Sequence, residues 1–357
     1  MLSSAAATNS DTCFVGLLAS QTALHDFFKK FLTPEDLSAV LPSIDKAFIR
    51  SPESAFAALA SLLKPVPFNP PSPTTTLLPQ ILTHTKSAKP EVRSAATSFF
   101  ASLVPTLSSS ESDLVSITDE IVAILKGGKS VSADHRLALF SMLALLPTTY
   151  PTTVSVKIAG LLPTLIQKET VSEAALAGLL SALAPHLASA LVANVATPPM
   201  ALSSLQKEMV NPKAVNRRLV VGAVGDVLWR VSQESTTWSA EADKFAETVA
   251  KNLVDGSLKS VVAAPLTAPG GVGEGYVAIA SMLGPLSKCG SKVVASLLLT
   301  NATLQTITAT SPKPSFVLWD KAQRKATSAS DEVWLLRALQ ALVEKHEDKL
   351  VKDEALR

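Results

Sequence analysis

Four segments of this chain repeat one apolar pattern, and the interval between them constrains the fold more than any other feature. "KPEVRSAATSFFASLV" carries Arg93 near its start and "SADHRLALFSMLALLP" carries Arg136 in the same slot. "TVSEAALAGLLSALAP" puts Ala175 there, and "NPKAVNRRLVVGAVGDVLW" returns to Arg217. The interval is about forty residues, long enough for two helices and a turn. Within the segments the apolar spacing is helical. Leu139, Met142, Leu143 and Leu146 stand at i, i+3, i+4 and i+7, as do Val221, Val224, Gly225 and Leu228. Partner helices are expected between the segments, over 111–126, 151–167 and 198–210. A single hairpin of this kind exposes too much apolar surface to stand alone, so its neighbours must stack on it.

These readings predict an all-α fold, an α-α superhelix of helical hairpins with a period near forty, like a HEAT or armadillo solenoid. Composition agrees: hydrophobic residues make up 47% of the chain but aromatics only 5%, so the apolar content is mostly Ala, Leu and Val. Fourteen glycines are few for a fold rich in β-hairpins. The prolines mostly punctuate, with "TPED" at Thr33, "SPES" at Ser51, "KPEV" at Lys89 and "NPKA" at Asn211 each reading as a helix start. "LKGGKS", from Leu125, reads as a stop. Residues 64–76 read as a proline-rich connector and 261–275 as a long inter-helix loop, within one solenoid array over 1–357.

Motifs that would perform chemistry fail on inspection. "GGVGEGYV" has the two glycines of a phosphate loop, but Tyr276 and Val277 replace the Lys and Ser/Thr that reach phosphate and metal. Cys13 and Cys289 have no neighbouring Cys, and the five histidines form no His-x-x-x-His pair. No serine sits in a nucleophile-elbow context. The pairs Asp119–Glu120 and Asp331–Glu332 read as solvated helix flanks, "PFNPPSP" as linker, and Asn301-Ala-Thr303 as an unused sequon. The expectation is a non-enzymatic chain without cofactor, metal or small-molecule substrate. No Asp, Glu, Lys or Arg occurs from Ala174 to Gln206, a stretch long enough to span a membrane. Pro185, His186, Ser181, Ser189 and Asn194 interrupt it and no Lys/Arg cluster flanks it, so two buried helices and no membrane contact are expected. The amino terminus lacks a signal peptide's basic start, which with the sparse cysteines reads as a reduced cytoplasmic setting.

Charge nearly balances, with 32 basic and 30 acidic residues, so any electrostatic surface is local. Arg93, Arg136 and Arg217 are expected to be structural, reaching an acidic side chain or helix-end carbonyls of the adjacent repeat. Arg218, one position on, is expected to face solvent or a partner. The candidate contact residues for a phosphate backbone or acidic protein are Lys207, Lys213, Arg218 and Arg230 in one repeat, with Lys321, Arg324 and Lys325 further on.

"SADHRLALFSMLALLP", "LIQKETVSEAALAGLLSALAPHL", "NPKAVNRRLVVGAVGDVLW" and "PSFVLWDKAQRKATSASDEVWLLRALQAL" occur in an order that resembles the N-terminal region of the general-control (non-derepressible) translational activators. The resemblance runs from about Ser132 to Val343. It implies the N-terminal part of a very large HEAT-repeat scaffold that binds stalled ribosomes and helps activate an initiation-factor kinase during amino-acid starvation. It further implies ribosomal RNA or protein as the contact. The family's elongation-factor-like repeats and kinase-binding segment would lie outside this chain. The alternative is a HEAT-type adaptor in transport or cytoskeletal assembly.

Overall fold

The computed structural model describes residues 44–63 and 73–252, apart from 45, 109, 128–130, 197, 198, 210, 212 and 236, together with 282, 285, 286 and 289–294. The expected loop at 261–275 and final amphipathic helix lie outside the described residues, among which there is no strand. The described helices fall into two compact units, divided between Pro147 and Thr148.

The first unit contains α1 (Pro52–Leu63), α2 (Pro73–His84), α3 (Pro90–Leu107), α4 (Glu111–Lys126) and α5 (Ala133–Leu145). α1, α3 and α5 pack in sequence as one layer and α2 and α4 as the other, with α3 also packed on α2 and α4, and α5 on α4. That is the stacking that the near-forty period requires. Aromatic residues fill its core: Phe56 contacts Phe48 at a ring separation of 4.8 Å and Phe99 at 5.5 Å, and Phe99, Phe100 and Phe140 are fully buried. Leu139, Met142, Leu143 and Leu146 are buried as their spacing predicts.

The second unit begins with a π-helical segment (Pro151–Ser155), followed by α6 (Val156–Ala159), α7 (Leu162–Glu169), α8 (Glu173–Val192), α9 (Pro199–Met209), α10 (Ala214–Glu234) and α11 (Ala240–Asn252). Here α8 packs on α10, and α7, α9 and α11 pack in sequence as the other layer. The second helices of the hairpins, α3, α5, α8 and α10, start at Pro90, Ala133, Glu173 and Ala214, an interval of about forty. Val221, Val224 and Leu228 are buried on α10.

Long-range polar contacts within each unit keep the same period. Arg93 pairs with Asp134 at 2.9 Å in the first unit. In the second, Ser189 Oγ donates to Thr148 C=O across 41 positions and Asn216 Nδ2 to Thr170 C=O across 46. The Glu241 N–H donates to Asn194 Oδ1 across 47. Each bond therefore ties a repeat to the next one.

Helix starts follow local rules. Ser110, Ser132 and Ser172 cap α4, α5 and α8 by accepting from Asp113, His135 and Ala175 N–H. Lys89 and Lys213 hold the cap positions of α3 and α10 without a capping side chain. There the residue two back accepts from the lysine N–H instead, Ser87 Oγ at 3.2 Å and Asn211 Oδ1 at 2.8 Å.

Four details differ from expectation. The helix expected over 151–167 is broken into the π-helical segment, α6 and α7. The break falls at Gly160, where a Cβ would meet the Val156 and Lys157 carbonyls at 3.2 and 3.3 Å; Pro163 then sits in the first turn of α7. Pro73–Thr76, expected as connector, form the first turn of α2. Proline also lies inside helices, at Pro79, Pro105 and Pro185. α8 passes through Pro185 because the carbonyl left without its N–H belongs to Ser181, an exposed residue that water can serve. Finally, Gly127 ends α4 at φ −64°, so this stop does not use glycine's left-handed freedom.

α8 is long and apolar enough to cross a membrane, but 72% of its most apolar window is buried inside the protein. Its neighbours α6, α7 and α10 and the π-helical segment cover that surface.

Candidate functional site

Each hairpin turns from a first helix into a second, and arginine holds the turn in three of them. Arg93 Nη1 donates to Ser87 C=O at 2.7 Å and Ala88 C=O at 2.9 Å. Arg136 Nη1 donates to Val131 C=O at 2.7 Å. Arg217 Nη1 donates to Asn211 C=O at 2.6 Å, and Asn211 Nδ2 in turn donates to the buried carboxylate of Glu208. The structural role holds, but these carbonyls lie in the turn before each arginine's own helix, not in the adjacent repeat. Arg93 also reaches an acid one repeat on, Asp134. The guanidinium fits because it stays charged and brings several N–H donors to carbonyls that have left helical geometry.

The cations proposed for a partner separate in space. Lys207, in the last turn of α9, and Lys213, at the start of α10, are exposed at the same turn. Arg218 lies beside them but is half-buried, like Arg217, so its rotation about the helix does not carry it into full solvent. Arg230 lies near the far end of α10, about 25 Å from Lys213 by helical rise. It is committed to Asp226 at 3.2 Å. Lys321, Arg324 and Lys325 lie outside the described residues.

The turn also shows cations that a search within one repeat overlooks. In the second unit exposed Lys168, Lys207 and Lys251 occupy the last turns of α7, α9 and α11. In the first, exposed Lys126 closes α4, and Lys86 and Lys89 lie in the turn after α2. The signal that would have found them is the repeat period applied to lysine. A lysine at a helix C-terminus is stabilised by the carbonyl end of the dipole, so those positions alone do not require a ligand. Lys213 is different. It sits at the N-terminal, positive end of α10, whose first turn holds no acid. Lys89 has Glu91 nearby to balance it. At the α9–α10 turn the exposed charges of Lys207 and Lys213 are therefore positive, while the acid of that turn, Glu208, is buried.

Polar groups elsewhere are structural. Ser155 and His186 Nδ1 lie 3.1 Å apart but both are completely buried, beyond reach of a substrate. Cys289 Sγ donates to Asp243 Oδ1 at 3.0 Å. Burial and that bond push its pKa up to about 12, so it is a thiol and not a nucleophilic thiolate. Among the described residues no group of three or more His, Cys, Asp or Glu side chains could hold a metal. Asp119 and Glu120 are exposed on α4, as a solvated face. "GGVGEGYV", the sequon, Cys13 and Asp331–Glu332 lie outside the described residues, as do residues 67–72 of the "PFNPPSP" segment.

Residues 133–357 match the family described as General control nonderepressible 1 (Gcn1) N-terminal. Residues 16–131 match the family described as Stalled ribosome sensor GCN1 N-terminal. Over 173 residues the chain is 32% identical to the eIF-2-alpha kinase activator GCN1 of Saccharomyces cerevisiae. That alignment covers 46% of this chain and 6% of the yeast protein. The chain belongs to the Gcn1 N-terminal family.

Proposed function

We propose that this chain is a non-enzymatic arm of a large helical-repeat scaffold that docks on ribosomes in the cytoplasm. Docking there supports activation of an initiation-factor kinase. Residues 1–357 form one continuous solenoid array in this reading, and the kinase is contacted by other parts of the full-length protein. Membership of the Gcn1 N-terminal family carries the proposal; the relative's description as an eIF-2-alpha kinase activator supports its second half. The contact runs along the turns between first and second helices. Lys207 and Lys213 are its centre, because they are exposed and Lys213 stands at an unbalanced helix start.

Co-pelleting with ribosomes across a salt series tests this. Wild-type association should fall as salt rises, since each contact to phosphate releases counterions. Lys207→Glu with Lys213→Glu should weaken pelleting at least tenfold at low salt while leaving the melting curve in place, as exposed charges usually do. Arg230→Glu should have little effect on pelleting. Equal pelleting of the wild type and the double variant would remove this turn from the contact.

A further inference from the structure

Two valines stand where the physical chemistry of a helix start favours other residues. The first turn of a helix gathers unpaired N–H groups and the positive end of the dipole, so an acid there is stabilising. Glu91 in α3, Asp134 in α5 and Glu173 in α8 follow that rule. The corresponding position in α10 is Val215, 41% exposed.

One repeat earlier, Val171 immediately precedes Ser172, the cap of α8. An apolar residue in that place ordinarily folds down on to the fourth residue of the helix, forming a hydrophobic staple. That residue is Leu176, which is fully buried, yet Val171 remains 84% exposed. Val171 gains almost no packing in exchange for the local stabilisation it forgoes, and Val215 leaves two fifths of its surface uncovered. A local rule broken without a structural return marks a position shaped by a partner.

The bond from Asn216 Nδ2 to Thr170 C=O joins the residues that flank the two valines, so Val171 and Val215 lie on neighbouring turns of one edge. Exposed Lys168 and Lys213 lie three and two positions before these valines, and exposed Lys207 is in the last turn of α9, the helix before α10. Glu173 is exposed on this edge, whereas Glu169 and Glu208 are buried. Its exposed face is therefore apolar at the centre and net positive at the rim.

We propose that this edge binds an acidic peptide segment carrying apolar side chains. Val171 and Val215 receive the apolar anchors, and Lys168, Lys207 and Lys213 face the carboxylates. The proposal rests on the docking edge described above and specifies the partner there as protein. Charge complementarity alone would also admit nucleic acid, but the sequence around the two valines, 168–175 and 205–218, contains no aromatic residue on which a base could stack. Valine offers a phosphate backbone nothing.

Fluorescence anisotropy with the full chain tests the inference. The probes are a short labelled acidic peptide with Leu and Phe interspersed, the same peptide with Ser at those places, and an oligouridine. The wild type should bind the Leu/Phe peptide roughly tenfold more tightly than the Ser peptide, as burial of two anchors implies. Val171→Ser with Val215→Ser should erase that preference. Val215→Glu supplies the acid that α3, α5 and α8 already have, so it should raise the melting temperature by about 1–3 °C while weakening peptide binding. A variant that is more stable but binds less cannot owe its loss to misfolding. Equal affinity for the two peptides would overturn the proposal, as would undiminished binding by Val215→Glu. Tighter binding of oligouridine, insensitive to the valines, would overturn it in favour of RNA. Loss of ribosome pelleting in the lysine variant but not in the valine variant would keep the docking edge and discard the peptide. Peptide binding without any ribosome pelleting would do the reverse.

Discussion

A buried side chain in this protein is decided by what it donates to, and Arg217 and His135 show two outcomes. Arg217 donates to the Asn211 carbonyl of its own turn. Arg217→Met should cost about 1–3 kcal/mol in denaturant unfolding, typical of a hydrogen bond from a charged group. Arg217→Lys should recover only part, because an ammonium lacks the fork that reaches a bent-back carbonyl. His135 is 4% exposed, and among the described residues its Nε2 has no hydrogen-bond partner. Burial lowers its pKa, and the nearby Lys86 charge lowers it further. The folded state therefore holds its proton less tightly than the unfolded state does. Stability contributed by neutral His135 is present above the unfolded pKa near 6.5 and is lost as pH falls through it. His84 is lowered by burial too, against an opposing Glu53 charge, and it stacks on Phe48 at 5.5 Å. Unfolding free energy measured between pH 7.5 and 5.5 should decline on acidification, and His135→Gln should flatten that decline. An unchanged slope in the variant would assign the pH dependence elsewhere.

Whole elements begin more legibly than they end. A start needs one oxygen that accepts from a freed N–H, so Ser110, Ser132 and Ser172 could be read directly from their place before an apolar run. An end depends on backbone conformation. α8 stops at Asn194, whose φ of 57° places it in the left-handed region. Val195 N–H then reaches Ala190 C=O at 2.9 Å and Asn194 N–H reaches Leu191 C=O at 3.0 Å, the paired bonds of a Schellman end. Sequence inspection took Asn194 only as a polar interruption of an apolar stretch. Its second role is tertiary: Asn194 Oδ1 accepts from Glu241 N–H at the start of α11, and Ser239 Oγ donates to Leu191 C=O. Asn194→Ala should lose about 1–2 kcal/mol, since alanine keeps a Cβ in the left-handed region without the amide that makes asparagine tolerant of it, and the acceptor is removed. Asn194→Gly should lose less, because only the acceptor goes. Thermal melts of the pair separate the two contributions, and equal losses would show that φ is irrelevant here.

At the scale of the molecule, stability is shared between stacked hairpins, so where the chain is divided should matter more than how much is removed. Gly128 lies between α4 and α5, two helices of one hairpin within the first unit. A break at Pro147–Thr148 instead follows the division between the two units. Expression of residues 148–357 should give more soluble, cooperatively melting protein than expression of residues 129–357, which carries α5 without its partner. Comparable solubility would mean that the hairpins fold independently. Circular dichroism of the full chain should be dominated by helix.

The sequence by itself determined that the chain is helical, that its helices come in pairs at intervals near forty, and where most second helices begin. Those properties are local or nearly so. A spacing of i, i+3, i+4, i+7 specifies a helix face whatever covers it, and a capping serine acts within three residues. Tertiary structure alone decided which charges are available. Lys213, Arg217, Arg218 and Arg230 sit close together in one segment, yet one is exposed, one grips a turn, one is half-buried and one lies at the far end beside Asp226. Helical rise carries neighbours in sequence apart, and the adjoining repeat determines which side of each helix still meets water. It also brought together Val171 and Val215, from different repeats, whose exposure no local pattern reveals.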